Sequence, residues 1–327
     1  MEKLCFTFLN RPANFAHMKN SFRTFLSLAA AASASLHAFA GTETDAKSKD
    51  FKQPECPPVP LTLVTIDSSF DFESSFRRGD GRQEVTHNEF EFGQRIPIDL
   101  PWPNRECGHW YLRLGVNYDR FDFDTKNETR LVNTLQSASG VVALEYLVRG
   151  EVAIEIETNP GVYFEHDING GAFDAPTNIA AAYELVHDKV FLVGGVSLSL
   201  LRSYPVLPIL GVSWIINDQW RLNAVVPKPR LIYSPNSALQ LWAGGELVGG
   251  AYKTDGRDVN PSKLSGAVVT YSEYRVGAGL TYTMKPLTFE IGGGYVVQRE
   301  FDYHRAGESF ITDGGAPYVG VEISAAF

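Results

Sequence analysis

The 327 residues carry 29 Lys+Arg against 38 Asp+Glu, a net charge of −9, with 44% hydrophobic and 12% aromatic content. That charge excludes a non-specific nucleic-acid binder, which needs a basic face to displace counterions from phosphate. The apolar-rich composition excludes a disordered chain. The absence of any run of about 18 apolar residues leaves no helical membrane span.

In chain order, residues 25–40 come first, reading FLSLAAAASASLHAFA. Lys19 and Arg23 precede this apolar run, and Ala38-Phe39-Ala40 closes it ahead of Gly41, so residues 1–40 read as a cleaved secretory signal. Met18 opens MKNSFRTFL, a more conventional start for such a signal than Met1. Cleavage would remove Lys3, Arg11, Lys19, Arg23 and Glu2, leaving 25 basic against 37 acidic residues, a net of −12. Cys5 would leave too, so Cys56 and Cys107 remain. With no CxxC spacing, such a pair in an exported chain reads as one disulfide, the alternative being two unpaired thiols. Residues 41–60 read as a flexible periplasmic lead ending PECPPVP.

From Leu61 to Phe327 the recurring signal is period-2 alternation in segments of about ten residues broken by turn residues. In 110–119, Trp110, Leu112, Leu114, Val116 and Tyr118 oppose Tyr111, Arg113, Gly115, Asn117 and Asp119. In 274–283, Tyr274, Val276, Ala278, Leu280 and Tyr282 oppose Arg275, Gly277, Gly279, Thr281 and Thr283. Apolar faces that carry aromatics, set against faces mixing Gly with charge, are the pattern of a transmembrane barrel.

The chain ends PYVGVEISAAF, with Val319, Val321, Ile323, Ala325 and Phe327 on one face. Here the sequence resembles bacterial outer-membrane β-barrels, whose last strand ends in this way. The resemblance implies that Val319, Val321, Ile323 and Phe327 form the signal read by the barrel-assembly machinery. The stretches WRLNAVVPKPRLIYSPNSALQLWAGGELVGGAY, YRVGAGLTY and FEIGGGYVVQREFDY resemble the uncharacterised porin-like outer-membrane barrels of Gram-negative bacteria, a domain-of-unknown-function class. That resemblance implies location and fold, an all-β, antiparallel up-and-down transmembrane barrel over residues 61–327, and brings no substrate or functional residues.

Treating the short connections at 149–150, 187–189, 217–219, 234–237 and 285–286 as periplasmic predicts strands over 61–76, 85–98, 110–124, 134–148, 150–166, 177–187, 189–200, 206–216, 220–226, 229–233, 239–252, 266–283, 287–303 and 317–327. An even count of fourteen suits closure. Twelve is the alternative, because Pro227 and Pro229 would interrupt a ladder. On this topology Cys56 and Cys107 both lie on the periplasmic side.

Alternation points Asp71, Glu73, Glu89, Glu91, Arg113, Asp119, Glu145, Glu151, Glu155, Glu157, Arg221, Glu246, Arg275, Glu290, Glu300 and Glu322 into the lumen, thirteen acids to three arginines. Such a lining focuses a negative potential, so a weakly cation-preferring passage for small solutes or ions is expected. The alternatives are a closed structural or adhesive barrel presenting loops 253–265 and 304–316, and a barrel hydrolase. An enzyme needs a nucleophile and base brought together, yet His87, His109, His166, His187 and His304 are scattered. No G-x-S-x-G, H-E-x-x-H or Cys/His metal spacing occurs. The sequence therefore predicts a non-enzymatic protein without cofactor, partnered by outer-membrane lipid.

Overall fold

Two-faced strands that are apolar on one side and charged on the other can satisfy both faces by closing into a ring in lipid, where a barrel also leaves no unpaired sheet edge. The computed structural model describes residues 56–327 except 78–79, 104–106, 129, 150 and 313–314; the signal sequence and most of the lead lie outside the described residues. Its strands are β1 (Thr62–Ser75), β2 (Arg82–Ile98), β3 (Gly108–Lys126), β4 (Thr134–Val148), β5 (Glu151–Thr158), β6 (Gly161–Phe164), β7 (Phe173–Asp174), β8 (Thr177–Val186), β9 (Val190–Leu198), β10 (Val206–Ile215), β11 (Trp220–Val225), β12 (Arg230–Tyr233), β13 (Leu239–Lys253), β14 (Val268–Met284), β15 (Leu287–Tyr303), β16 (Glu308–Ile311) and β17 (Ala316–Ala326). β5 and β6 both ladder onto β4, β7 and β8 continue one another opposite them, and β16 and β17 both ladder onto β15. The segments therefore make fourteen antiparallel staves, closed by β17 on β1 from Leu63↔Ala326 to Asp71↔Tyr318. The hairpin of β11 and β12 is part of the wall, pairing with β10 and β13, and Pro227 and Pro229 sit at its tip, where their carbonyls accept from Leu247 N at 3.0 Å and Gly245 N at 2.9 Å.

The outward faces are apolar and exposed: Ile66, Phe90, Leu114, Val116, Ile291, Val321 and Ile323 all point away from the lumen. The inward faces bury charge, with Glu145, Glu273 and Arg299 each 0% exposed. A soluble protein inverts this arrangement.

Of the four register shifts in the described ladders, two decide which charges face the lumen. Opposite Val85 and Gln83, β1 carries one extra residue between Asp71 and Ser74. Asp71 and Ser74 are buried while Glu73 is exposed and meets Arg82 and Lys126. In β15 the extra residue is Val297, since Arg275 faces Val296 and Tyr274 faces Gln298. Beyond it Arg299, Phe301 and Tyr303 point inward. Glu300, expected in the lumen, is on the outer face, where Ser309 Oγ donates to it at 2.8 Å. A bulge adds one unpaired residue and so exchanges the two faces.

The staves are unequal. β10 pairs β11 only from Gly211 to Ile215, and β12 with the hairpin tip bonds β13 only from Leu241 to Leu247. Beyond these points β13 instead meets β6, at Lys253↔Phe164. This contact draws the outer end together, and Phe121, Phe123, Tyr163, Tyr252, Tyr271, Phe301 and Tyr303 fill it. Leu131, Val132, Leu201 and Leu264 fold in from the external loops to complete a hydrophobic lid. At the opposite end Val59 of the lead packs on Tyr111, Leu147 and Val152.

Candidate functional site

Beneath the lid the lumen is polar, and its charges fall into three groups. In the first, β2 to β5 bring Arg95 and Arg113 among four carboxylates. Arg95 Nε donates to Glu145 at 2.6 Å; Arg113 donates to Glu145 and Glu91, each at 2.7 Å, to Glu155 at 3.4 Å and, in a shorter contact, to Glu157. In the second, Asp71 and Glu273 face two guanidiniums. Arg299 reaches both at 2.9 Å, and Arg275 reaches Asp71 at 3.1 Å and also bonds Glu273, which accepts from Tyr271 OH at 2.7 Å. In the third, Lys228 meets Glu246 at 2.8 Å, and Arg230 grips Glu290 with two bonds of 2.7 and 3.0 Å while stacking 4.0 Å above Trp242. Charges withdrawn from water are tolerated only when paired in this way.

Register adds a further pattern. Glu290, Glu322, Asp67, Glu89 and Asp119 are successive cross-strand partners on β15, β17, β1, β2 and β3, forming one carboxylate row across five of the fourteen staves. Like charges directly opposite on neighbouring strands repel. Arg230 answers Glu290, and Lys228 stands 4.0 Å from Glu322. The other three share His87, whose Nε2 is 2.7 Å from Asp119 and whose Nδ1 is 3.8 Å from Asp67. Glu89 accepts from Asn117 Nδ2 at 2.8 Å, and Tyr252 OH donates to Asp119 at 3.1 Å. The row lines a cavity of about 100 Å3, also bounded by Ser69, Arg202, Lys228, Arg230, Trp242, Glu246 and Arg275. Trp242 fits because Gly279 and Gly292 face its ring; a Cβ on either would collide with it.

Of the remaining residues named from sequence, Arg221 lies on the inward face and stands 3.7 Å from Glu151. Val319, Val321 and Ile323 point outward; the Phe327 carbonyl accepts from Leu61 N at 2.6 Å and Thr62 N at 3.1 Å. Cys56 and Cys107 are disulfide-bonded with their Cα atoms 5.3 Å apart. Sequence reasoning missed Arg95, Glu273 and Arg299, and it missed Lys228 and Arg230 at the hairpin tip. Arg95 and Glu273 share the inward phase of Glu91 and Arg275, so alternation alone could have found them. With these residues counted, the lumen holds far more base than thirteen acids to three arginines.

His87 has an acid partner, but no serine relay is assembled: neither Ser69 Oγ nor His87 Nδ1 has a hydrogen-bond partner among the described residues. Outside the barrel, loops 165–172 and 254–267 lock together. Asp255 accepts from the His166 and Asp167 amides at 3.1 Å each, and Glu165 accepts from Asp255 N at 2.9 Å. Burial pushes the Glu165 carboxyl above its ordinary range, while Arg130 holds Glu128 below it.

No family model matches this sequence, and no curated protein matches it. Among solved structures, an outer membrane channel from Pseudomonas putida F1 is similar at 9% identity and a TM-score of 0.44, covering 86% of this chain and 100% of its own. The TodX monoaromatic hydrocarbon channel, as its deltaS2 mutant, is similar at 10% identity and TM-score 0.40, with 83% and 91% covered. The transport unit of the autotransporter AIDA-I from Escherichia coli is similar at 11% identity and TM-score 0.35, with 94% and 97% covered. The strand ladder itself, closed on β1 and apolar outside, makes this chain an all-β transmembrane barrel.

Proposed function

We propose that this chain is an outer-membrane channel for small polar solutes, held closed at its outer mouth by its own loops. The observation that carries this reading is the polar cavity beneath the aromatic lid, inside a fourteen-stave wall. Cofactor chemistry has no part in it. Export through a cleaved signal brings the chain to the periplasm, and the strand ending at Phe327 engages the assembly machinery. The cavity wall counts seven acids (Asp67, Glu89, Asp119, Asp174, Glu246, Glu290, Glu322) against four bases (Arg202, Lys228, Arg230, Arg275) and His87, an acidic surplus even with the imidazole charged, which supports a weak cation preference.

Planar-bilayer recording tests this reading. The intact protein is expected to conduct rarely, and deletion of 256–265, which withdraws Leu264 from the lid, is expected to give stable steps whose reversal in a salt gradient favours the cation. A deletion variant that inserts yet stays silent overturns the channel. The second reading, a closed barrel presenting loops to a partner, is favoured by how completely the lid is packed, and that silence would support it.

A further inference from the structure

The carboxylate row is not balanced along its length. At one end Glu290 and Glu322 have Arg230 and Lys228. At the other, Asp67, Glu89 and Asp119 occupy three adjacent strands in direct register, with His87 the basic side chain in contact with them. Whether that imidazole is charged or neutral, the three carboxylates exceed it. Lys228 and Arg275 also act on Asp67 through space, but their direct contacts are with other acids, Lys228 with Glu246 and Arg275 with Asp71 and Glu273. A half-buried negative surplus of this kind is relieved by protonation of a carboxylate or by a counter-cation.

A second, independent feature points into the same space. Ser69, 5% exposed and one inward position along β1 from Asp67, lines the cavity, and its Oγ has no hydrogen-bond partner among the described residues. A buried hydroxyl without a partner costs about 1–3 kcal/mol unless something in the cavity satisfies it. The donor set is thus oxygen throughout, suited to N–H donors or to a hard cation. Its spacing decides between them. Among the described residues, the groups whose ligand atoms converge within 4.8 Å lie elsewhere, at Glu165, His166 and Asp255 and at Glu184, His187 and Asp188. Carboxylates spread along a strand row do not chelate a bare ion, but they match the three diverging donors of an ammonium group. A cavity of about 100 Å3 has room for a small amine.

We propose that Asp67, Glu89 and Asp119, with Ser69, bind a small organic cation through its ammonium group. This deepens the channel reading by naming a solute class, and it rests on that reading only for the route by which the solute arrives. The test is an equilibrium measurement, so a silent bilayer and an empty site give different results. Isothermal titration calorimetry of the full chain in detergent micelles, with ethylammonium as probe and ethanol as its neutral counterpart, is expected to show saturable binding of ethylammonium alone. Glu89→Gln should weaken it about tenfold, and Glu84→Gln, on the outer face of β2, should leave it unchanged. If Glu89→Gln loses the heat-modifiable mobility of a folded barrel, Asp67→Asn takes its place; if neither folds, the ethylammonium–ethanol comparison on the unaltered chain decides. No saturable binding, equal binding of ethanol, or undiminished affinity in a folded variant would overturn the proposal.

Discussion

The outer and inner halves of this barrel fill the same kind of lumen by opposite means. The outer half packs rings: Phe123 sits 5.1 Å from Tyr271 and 5.0 Å from Phe301, centroid to centroid, beneath leucines supplied by loops. The inner half packs ions around Arg113, and there Glu145, Glu155 and Glu157 are each at most 3% exposed. The first is held by removal of apolar surface from water, with no directional demand. The second is held only while every charge keeps its partner. The halves therefore differ in how they fail, and substitution separates them.

The largest effect is expected at Arg113. Arg113→Ala leaves Arg95 as the one arginine among Glu91, Glu145, Glu155 and Glu157, a loss of about 5 kcal/mol, the upper end for breaking a buried pair. Unfolding in urea, followed by tryptophan fluorescence in lipid vesicles, should show the transition lost or displaced far downward. Folding at near-normal stability would mean that water, not Arg113, holds those carboxylates. Phe301→Ala should cost about 3–4 kcal/mol by opening a void in the lid. Bilayer recordings should then show conductance steps absent from Arg113→Lys, which keeps the lid. A silent and stable Phe301→Ala would show the lid to be thicker than one aromatic layer.

How far this contrast was legible beforehand depends on the physics of each half. Alternation in residues 110–119 gives the inward face because a regular ladder preserves period two, and the fourteen staves follow from turn chemistry. The lid could not be read, because Leu131, Leu201 and Leu264 belong to segments whose composition says loop and whose burial depends on the narrowing where β13 meets β6. Lys228 lies between two prolines and looks like a solvated turn, yet the short hairpin carries it into the lumen beside Glu246. The carboxylate row is a property of register. Glu290, Glu322, Asp67, Glu89 and Asp119 are far apart in the chain, and only the pairing aligns them.

A smaller effect is expected where the two halves meet at Trp242. Gly292→Val places branched carbons against its ring, at a cost of about 1–3 kcal/mol for overpacking. The displaced indole should leave the Arg230 guanidinium, now 4.0 Å away, and its emission should shift. Unchanged emission would mean that the strand, not the ring, gives way.

The smallest effect sharpens the comparison most, because it depends on a single residue of register. Glu290 and Glu300 share one phase in the sequence of β15, and an unbroken strand would line the lumen with both. Val297 is extra to the ladder, so Glu290 stays inside, gripped by Arg230, while Glu300 turns outward towards Ser309. Glu300→Gln should change stability by less than about 0.5 kcal/mol, as surface substitutions do. In a lid-deleted channel, it should leave the reversal potential where it was. Glu290→Gln should move that potential towards the anion, since Arg230 then faces the lumen without its carboxylate. Deleting Val297 would remove the bulge with Gln298 still opposite Tyr274, so Arg299 stays inward and Glu300 outward. That variant should keep the pairing of Arg299 with Asp71 and Glu273, and it should fold. Equal shifts from Glu290→Gln and Glu300→Gln would mean that the strand runs unbulged and that the outer half begins later than Val297.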